Sequence, residues 1–403
     1  MDKNDRIEIE VREMKYCIYN VRIISGKKEQ PYEQGTVLFD ESGIIDVTET
    51  SITDKGDINI DGSGLSILPG LIDAHVHLGM DCSPDPFKKI ATDREADTAF
   101  IAYDQGKKFL KAGITTIRNL GTKNNVDIAY RDAVKNGTVL GPRVYVAGQP
   151  IAMTGGHGYP MAIEADGVDE IRKASRKQIK IGADLLKLMA TGGVLTKGNN
   201  PGAPQLSIDE LKAACKEASH ASKTTAAHAI GLEGVKNAIK AGVTTIEHGY
   251  YLDDEAVEMM VKNGTYLVPT LLAPTLILKH SEVIPKHMIK KIEIIEQEHR
   301  QSFRRALKKG VKVAVGTDAG TPFNYPGLIV DEMELMVTEG MSPLEVIHAA
   351  TYVGAECLRI EKKVGTIEKG KWADLILVEG NPLEDVSTLK KIRQVFKEGK
   401  PCL

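Results

Sequence analysis

From about residue 70 to residue 361, short apolar runs alternate with longer amphipathic stretches, and this alternation leaves the chain very few architectures. The runs are residues 70–78, 114–120, 143–147, 185–190, 224–229, 244–248, 265–269 and 311–316. The stretches between them, such as 208–222 and 285–309, carry apolar residues at helical spacing. Ser207 followed by Glu210 makes a capping box for the first of these helices. Eight strands alternating with helices over about 290 residues predict a (β/α)8 TIM barrel, an α/β fold. The alternative is a doubly wound open sheet, but no GxGxxG or P-loop follows an early strand.

The two ends of the chain read differently. Residues 5–69 form short β-type segments, among them 17–24 before a turn at Ser25-Gly26, and 36–39 before Ser42-Gly43. Their β-branched and aromatic content, broken by Gly and Asp, fits antiparallel strands. From residue 362 the same character returns. Gly365-Thr366-Ile367 leads through Gly370 to the run 373–380 and then Asn381-Pro382. The economical arrangement is one small β-sandwich built from residues 1–69 and 362–403, flanking a catalytic barrel of residues 70–361.

Charge and cysteine usage exclude several classes of function. Among 403 residues, Lys plus Arg total 52 and Asp plus Glu total 55, a net charge of −3. Such a balance points to neither nucleic acid nor an anionic membrane as partner. The charged start, Met1 to Arg6, has no apolar stretch behind it and does not read as a secretory signal. No window reaches the roughly 20 apolar residues of a membrane span. Cys17, Cys82, Cys215, Cys357 and Cys402 are scattered, without a CxxC pair. Neither a disulfide framework nor a thiolate zinc site is expected, and a reducing, cytoplasmic setting fits.

The chemistry-bearing residues gather at one level of the expected strands. In Leu68-Pro69-Gly70-Leu71-Ile72-Asp73-Ala74-His75-Val76-His77, the two histidines are two apart on a strand and so share a side. Taken alone they are as readily packing residues as metal ligands. His228 and His248 end two further runs, Asp318 ends the last within Gly316-Thr317-Asp318-Ala319-Gly320, and Lys187 lies late in another. Catalytic groups of barrel enzymes collect at the C-terminal strand ends, so this convergence points to a metal site. A lysine inside an apolar strand is costly when charged. It either pairs with a buried carboxylate, reaches to the rim, or, as a neutral amine, adds CO2 to become a carbamate.

The set His75, His77, Lys187, His228, His248 and Asp318 resembles the amidohydrolase superfamily, and the likeness covers nearly the whole chain. Three further segments are 187–193, the loop 153–158 around His157, and 316–320. They look like the branch of Xaa-Pro dipeptidase-like and zinc-dependent carboxypeptidases, close to imidazolonepropionase. The resemblance implies two divalent ions, usually zinc. His75, His77 and Asp318 would hold the first, His228 and His248 the second, with carboxylated Lys187 and a hydroxide between them. The same nitrogen and oxygen ligands also suit Mn, Co or Fe. It further implies that the hydroxide attacks an amide carbonyl while Asp318 takes its proton and returns it to the leaving amine. His157 matches a histidine that contacts substrate. Many relatives carry Tyr or His two positions after the strand-five histidine; this chain departs there with Ile230.

The expected substrate is a dipeptide or N-acyl amino acid cleaved before its C-terminal residue, with His157, Tyr250 and Tyr251 as partners for its carboxylate. Two acidic groups, Asp253-Asp254-Glu255 and Asp331, Glu332 and Glu334, follow strands and would receive an Arg or Lys side chain. First-turn acids also arise from capping alone. The rival activity is hydrolysis of a cyclic amide, as in imidazolonepropionase or hydantoinase relatives. A non-catalytic scaffold is disfavoured because every ligand position is filled. Enzymes of this type often form homo-oligomers.

Overall fold

Strands buried on both faces need continuous apolar runs, and the central segments of this chain supply them. The computed structural model describes residues 14–402; the charged start of the chain lies outside the described residues. In chain order the first strands are β1 (Tyr16–Ile23), β2 (Tyr32–Asp40), β3 (Gly43–Thr48), β4 (Ile58–Asp61) and β5 (Leu65–Pro69). Next come β6 (Leu71–Val76), β7 (Ile114–Asn119), β8 (Arg143–Val146) and the two-residue β9 (Ile151–Ala152) and β10 (Ile163–Glu164). β11 (Leu185–Met189), β12 (Thr224–Ala229), β13 (Thr245–His248) and β14 (Tyr266–Val268) follow. β15 (Leu375–Glu379), β16 (Ile392–Lys397) and β17 (Lys400–Pro401) end the chain.

Both termini build one sheet. Its order is β17-β16-β15-β5-β1-β2-β3, with β4 also paired to β1. The C-terminal strand β15 runs antiparallel to β5 from Leu375 opposite Pro69 to Glu379 opposite Leu65. This sheet curls. Phe39 on β2 and Phe396 on β16 stand four strand positions apart, about 19 Å in a flat sheet, yet their ring centroids are 4.9 Å apart. Tyr16 touches both rings, at 5.3 and 5.2 Å, so the two ends of the sheet close over one apolar cluster.

Gly70 alone separates β5 from β6. A Cβ there would stand 2.2 Å from the Thr115 side chain, so only glycine lets the chain pass directly from one sheet to the next. β6, β7 and β8 form a parallel sheet, and β10-β9-β11-β12-β13-β14 form another. Helices lie between successive strands, including Glu95–Lys111, Val126–Lys135, Ile208–His220 and Leu232–Ala241. The capping box expected at Ser207 and Glu210 is present. The long helix after β14 spans Lys286–Lys308. The result is a mixed α/β architecture. No helix among the described residues is long and apolar enough to cross a membrane.

The two parallel sheets are joined at both edges. On one side the Asp184 N–H donates to the Val146 carbonyl at 2.7 Å, and the Val146 N–H donates to the Asp184 carboxylate at 3.0 Å, linking β8 to the start of β11. On the other, residues 311–319 run between β14 and β6. Leu267 donates to Lys312 and Ala314 to Leu267, while Ala74 donates to Val315 and His77 to Ala319. The regular eighth strand expected at 311–316 is not formed: only single bridges occur, Leu267 with Val313 and Val76 with Ala319. Just past the run, Asp318 adopts a left-handed backbone at φ +63°, which interrupts the extended chain before the bridge at Ala319.

Candidate metal centre

Inside strands this apolar, the polar exceptions carry the information. His75 and His77 leave the end of β6 on the same side, and the Nε2 atom of each is 3.3 Å from Asp318 Oδ1. His248, at the end of β13, has its ring 5.0 Å from that of His75, and His228 on β12 is 4.7 Å from His248. Lys187 is buried on β11, which pairs with β12. His77, Lys187, His228, His248 and Asp318 line one cavity, with His75 fully buried behind them. His157 and Tyr250 also line it. Tyr251 does not; its backbone N–H donates to Ile230 and its side chain lies outside the lining.

The backbone at this end of the strands is held in uncommon conformations. His248 (φ +72°), Thr270 (φ +52°) and Asp318 (φ +63°) are all left-handed without being glycine. Each costs on the order of 1–3 kcal/mol and persists only where surrounding bonds enforce it. Here the Asp318 N–H donates to the His75 carbonyl at 2.8 Å, and Asp73 accepts from the Thr317 N–H and hydroxyl at 3.0 and 2.6 Å. Gly316 lets the segment press on β6, since a Cβ there would meet that of His75 at 2.8 Å.

A second layer fixes the imidazoles. His75 Nδ1 meets Glu247 Oε2 at 2.8 Å, His77 Nδ1 meets the Gly121 carbonyl at 3.2 Å, and His248 Nδ1 meets the Thr270 hydroxyl at 2.7 Å. An Nδ1 so engaged as a donor leaves the Nε2 lone pair for a metal. Glu247 in turn accepts from Arg118 Nη2 at 2.8 and 3.1 Å, and Arg118 also donates to the Ala74 carbonyl and the Thr245 hydroxyl. His299 Nε2 contacts the His248 carbonyl at 3.1 Å, and its ring stacks on Tyr250 at 3.8 Å. Arg118, Glu247, Asp73 and His299 are absent from the sequence reading of the site. The available signal was the opposite charges, Arg118 and Glu247, inside two apolar runs.

Protonation suits metal ligation. Burial holds His77, His228 and His248 below the ordinary histidine range, so their lone pairs are free. Burial alone would raise the Asp318 carboxyl, but His75 and His77 beside it outweigh that and hold it well below the usual range. Burial lowers Lys187 to about 8 against the opposing pull of Glu247 and Asp318. Among the described residues its ammonium makes no hydrogen bond or ion pair. Burial would raise Glu247 too, but Arg118 keeps it ionised. Burial, with Lys187 and Lys291, lowers His157 to about 3.

The donor set fits a cation. His75 Nε2 and Asp318 Oδ1 are buried without hydrogen-bond partners, an arrangement that costs free energy unless something else meets them. His75, His248 and Asp318 offer ligand atoms all within 4.8 Å of one another.

Neither expected acidic group reaches the cavity. Asp253 and Glu255 pair with Lys236 at 2.7 and 2.6 Å, and Asp331 and Glu334 pair with Lys390 at 3.2 and 2.9 Å. Glu332 is buried elsewhere, accepting from the Leu271 and Leu272 N–H groups.

Comparison with known proteins agrees with this geometry. The amidohydrolase family matches residues 66–402. Ochratoxinase of Aspergillus niger is 32% identical over 367 residues, covering 83% of this chain and 75% of that protein. A crystal structure of a Xaa-Pro dipeptidase with bound methionine in the active site superposes with a TM-score of 0.90 at 36% identity. The match covers 96% of this chain and 99% of the other. Imidazolonepropionase of Salinispora arenicola is 25% identical over 371 residues, 86% of each chain. The chain belongs to the amidohydrolase family. It is a hydrolase acting on C–N bonds of the amide type, with prolidase-like relatives.

Proposed function

We propose that this chain is a binuclear metal-dependent carboxypeptidase or dipeptidase, hydrolysing the amide bond before a C-terminal amino acid. In this reading the two joined parallel sheets form a closed (β/α)8 barrel over residues 70–361, and the curled terminal sheet, described over residues 14–69 and 362–402, is the composite β-sandwich. One observation carries the reading. Two buried ligand-type atoms without hydrogen-bond partners, His75 Nε2 and Asp318 Oδ1, adjoin a cavity lined by four more histidines and a buried lysine.

His75, His77 and Asp318 would hold one zinc ion and His228 and His248 another, with Lys187 between them as a carbamate. Two such dications supply Lewis acidity, polarising the amide carbonyl and bringing water ionisation near pH 7. Burial of Lys187 favours the neutral amine, which adds CO2 and releases one proton. The carbamate then balances charge where an ammonium would oppose a cation. Asp318, ionised and beside the histidines, takes the proton of the attacking water and returns it to the leaving nitrogen, as base and then acid. Glu247 and Thr270 hold His75 and His248 in orientation throughout. His157 and Tyr250 orient the substrate from the cavity wall.

The acidic groups do not favour an Arg or Lys side chain, because Asp253 and Glu255 pair with Lys236, Asp254 with Arg305, and Asp331 and Glu334 with Lys390, while Glu332 accepts from backbone N–H groups. A neutral C-terminal residue fits better, and the Xaa-Pro dipeptidase with bound methionine supports it by similarity. Cyclic-amide hydrolysis is the second reading, favoured by the likeness to imidazolonepropionase. Elemental analysis of the purified protein, with hydrolysis assays of N-acyl amino acids, dipeptides and cyclic amides side by side, tests both. About two metal ions per chain with release of free amino acid is expected. Metal-free protein that remains fully active would refute the proposal.

A further inference from the structure

The rings along the cavity form a row. Phe87, His157, His228, His248 and Tyr250 follow one another at centroid separations of 5.8, 4.3, 4.7 and 6.3 Å. Phe87, at one end, belongs to an apolar cluster with Met80, Met161 and Met189. Tyr250, at the other, belongs to a separate cluster with Val194, Ile230, Ile277 and Ile292. All of these side chains line the cavity, and Leu195, which also lines it, packs against both clusters. The histidines therefore stand between two apolar walls.

Neither wall offers a charge. Among the described lining residues, Lys187 and Asp318 are the ones with a cationic or anionic side chain, and both stand among the histidines rather than on either wall, Asp318 Oδ1 lying 3.3 Å from His75 and His77. Lys291, adjacent in sequence to Ile292, gives its ammonium to the carbonyls of Gly193, Val194 and Thr196 at 3.0, 3.3 and 2.7 Å. A charged substituent laid on either wall would lose its water and meet no partner. An apolar one of Leu or Phe size would gain on the order of ten- to a hundredfold in affinity.

We propose that the site takes amides bearing a bulky apolar group on both sides of the scissile bond. One wall receives an apolar acyl group and the other a neutral apolar amino acid side chain, with Ile230 and Ile292 setting the preference at the Tyr250 end. This rests on the amide-hydrolase reading above and narrows it to N-acyl apolar amino acids. Free dipeptides are disfavoured because their α-ammonium finds no available carboxylate at the wall.

Binding of non-hydrolysable ketomethylene isosteres to the metal-loaded full chain, read by calorimetry, tests the walls. The set is the isosteres of N-phenylacetyl-leucine, N-phenylacetyl-lysine, N-acetyl-leucine and the free dipeptide Phe-Leu. The first is expected to bind about tenfold or more tighter than each of the others. A lysine or free-amine isostere that binds as tightly overturns the inference. Ile230→Glu should erase or invert the leucine-to-lysine ratio, whereas Ile230→Val should preserve it; a folded Ile230→Glu protein with an unchanged ratio overturns the assignment of that wall. If the glutamate variant does not fold, the series on the unaltered chain still decides. Turnover of the parent amides is measured alongside. Failure to hydrolyse any of them with metal bound counts against the amide-hydrolase reading alone, since the isosteres judge the walls by binding.

Discussion

Replacing Arg118 with methionine keeps much of the side-chain length and removes the charge that holds Glu247 ionised inside the protein. Arg118 is 1% exposed, and its guanidinium is spent on two Glu247 oxygens, the Ala74 carbonyl and the Thr245 hydroxyl. Removing one partner of a buried pair costs about 3–5 kcal/mol, because the other charge is left behind. The sign of the pH dependence follows. In the parent, Glu247 is depressed, so its stabilisation is present above the unfolded carboxyl value of about 4.3 and lost as pH falls through the lower folded value. In Arg118→Met, burial loses its largest counterweight, with only the weaker pull of His75 and Lys187 left, and the folded value is expected to rise above about 4.3, so stability falls as pH rises through it. Adding Glu247→Gln removes the stranded charge, and the double variant should recover roughly 1–3 kcal/mol relative to additivity. Urea unfolding of the parent, both single variants and the double at pH 5 and pH 8 measures each quantity. A double variant destabilised by the full sum of the singles would refute the reasoning. Glu247→Gln should also weaken metal binding by roughly 10- to 100-fold, since it disturbs the partner of His75 Nδ1.

Asp318→Asn should keep most of the bound metal while lowering kcat on the order of 10²- to 10⁴-fold, checked by elemental analysis beside initial rates; near-parent turnover would end the proton-transfer role. Carbamate formation on Lys187 should increase about tenfold per pH unit up to about 8, where the amine becomes half neutral. Carbon-13 NMR of metal-free protein in labelled bicarbonate reads this, and equal carbamate yield at pH 6 and pH 8 would contradict it. Glu332 is pushed up to about 8 by burial, against the pull of the Leu271 and Leu272 N–H groups. Its folded value exceeds the unfolded one, so stability from this group is full below about pH 4 and drains away as pH rises through 8. Glu332→Gln should therefore lose less stability between pH 5 and pH 9 than the parent in urea titrations; identical slopes would argue against it.

Much of the candidate site's convergence was legible because its signals are local. His75 and His77 show their shared side through the two-residue period of a strand, and His228, His248 and Asp318 mark the ends of apolar runs. The composite terminal sheet was visible in the return of strand-and-turn character after residue 362, and β15 does pair with β5. The acidic groups misled for a physical reason. A carboxylate's neighbours in space decide whether it faces a ligand, and Lys236 and Lys390 arrive from other elements. The irregular eighth segment was likewise hidden, since the left-handed turn at Asp318 is stabilised by contacts with β6.

By itself, then, the sequence determined the alternation of strands and helices, the level at which the candidate ligands stand, and residue types suited to a metal. These follow from periodicity and side-chain chemistry, which act within a few residues. Tertiary structure alone decided that Arg118 meets Glu247 across 129 positions, that Glu247 steadies His75 across 172, and that two apolar clusters enclose the histidine row. Such pairings depend on which strands become neighbours, and that is settled by packing of the whole chain rather than by any segment of it.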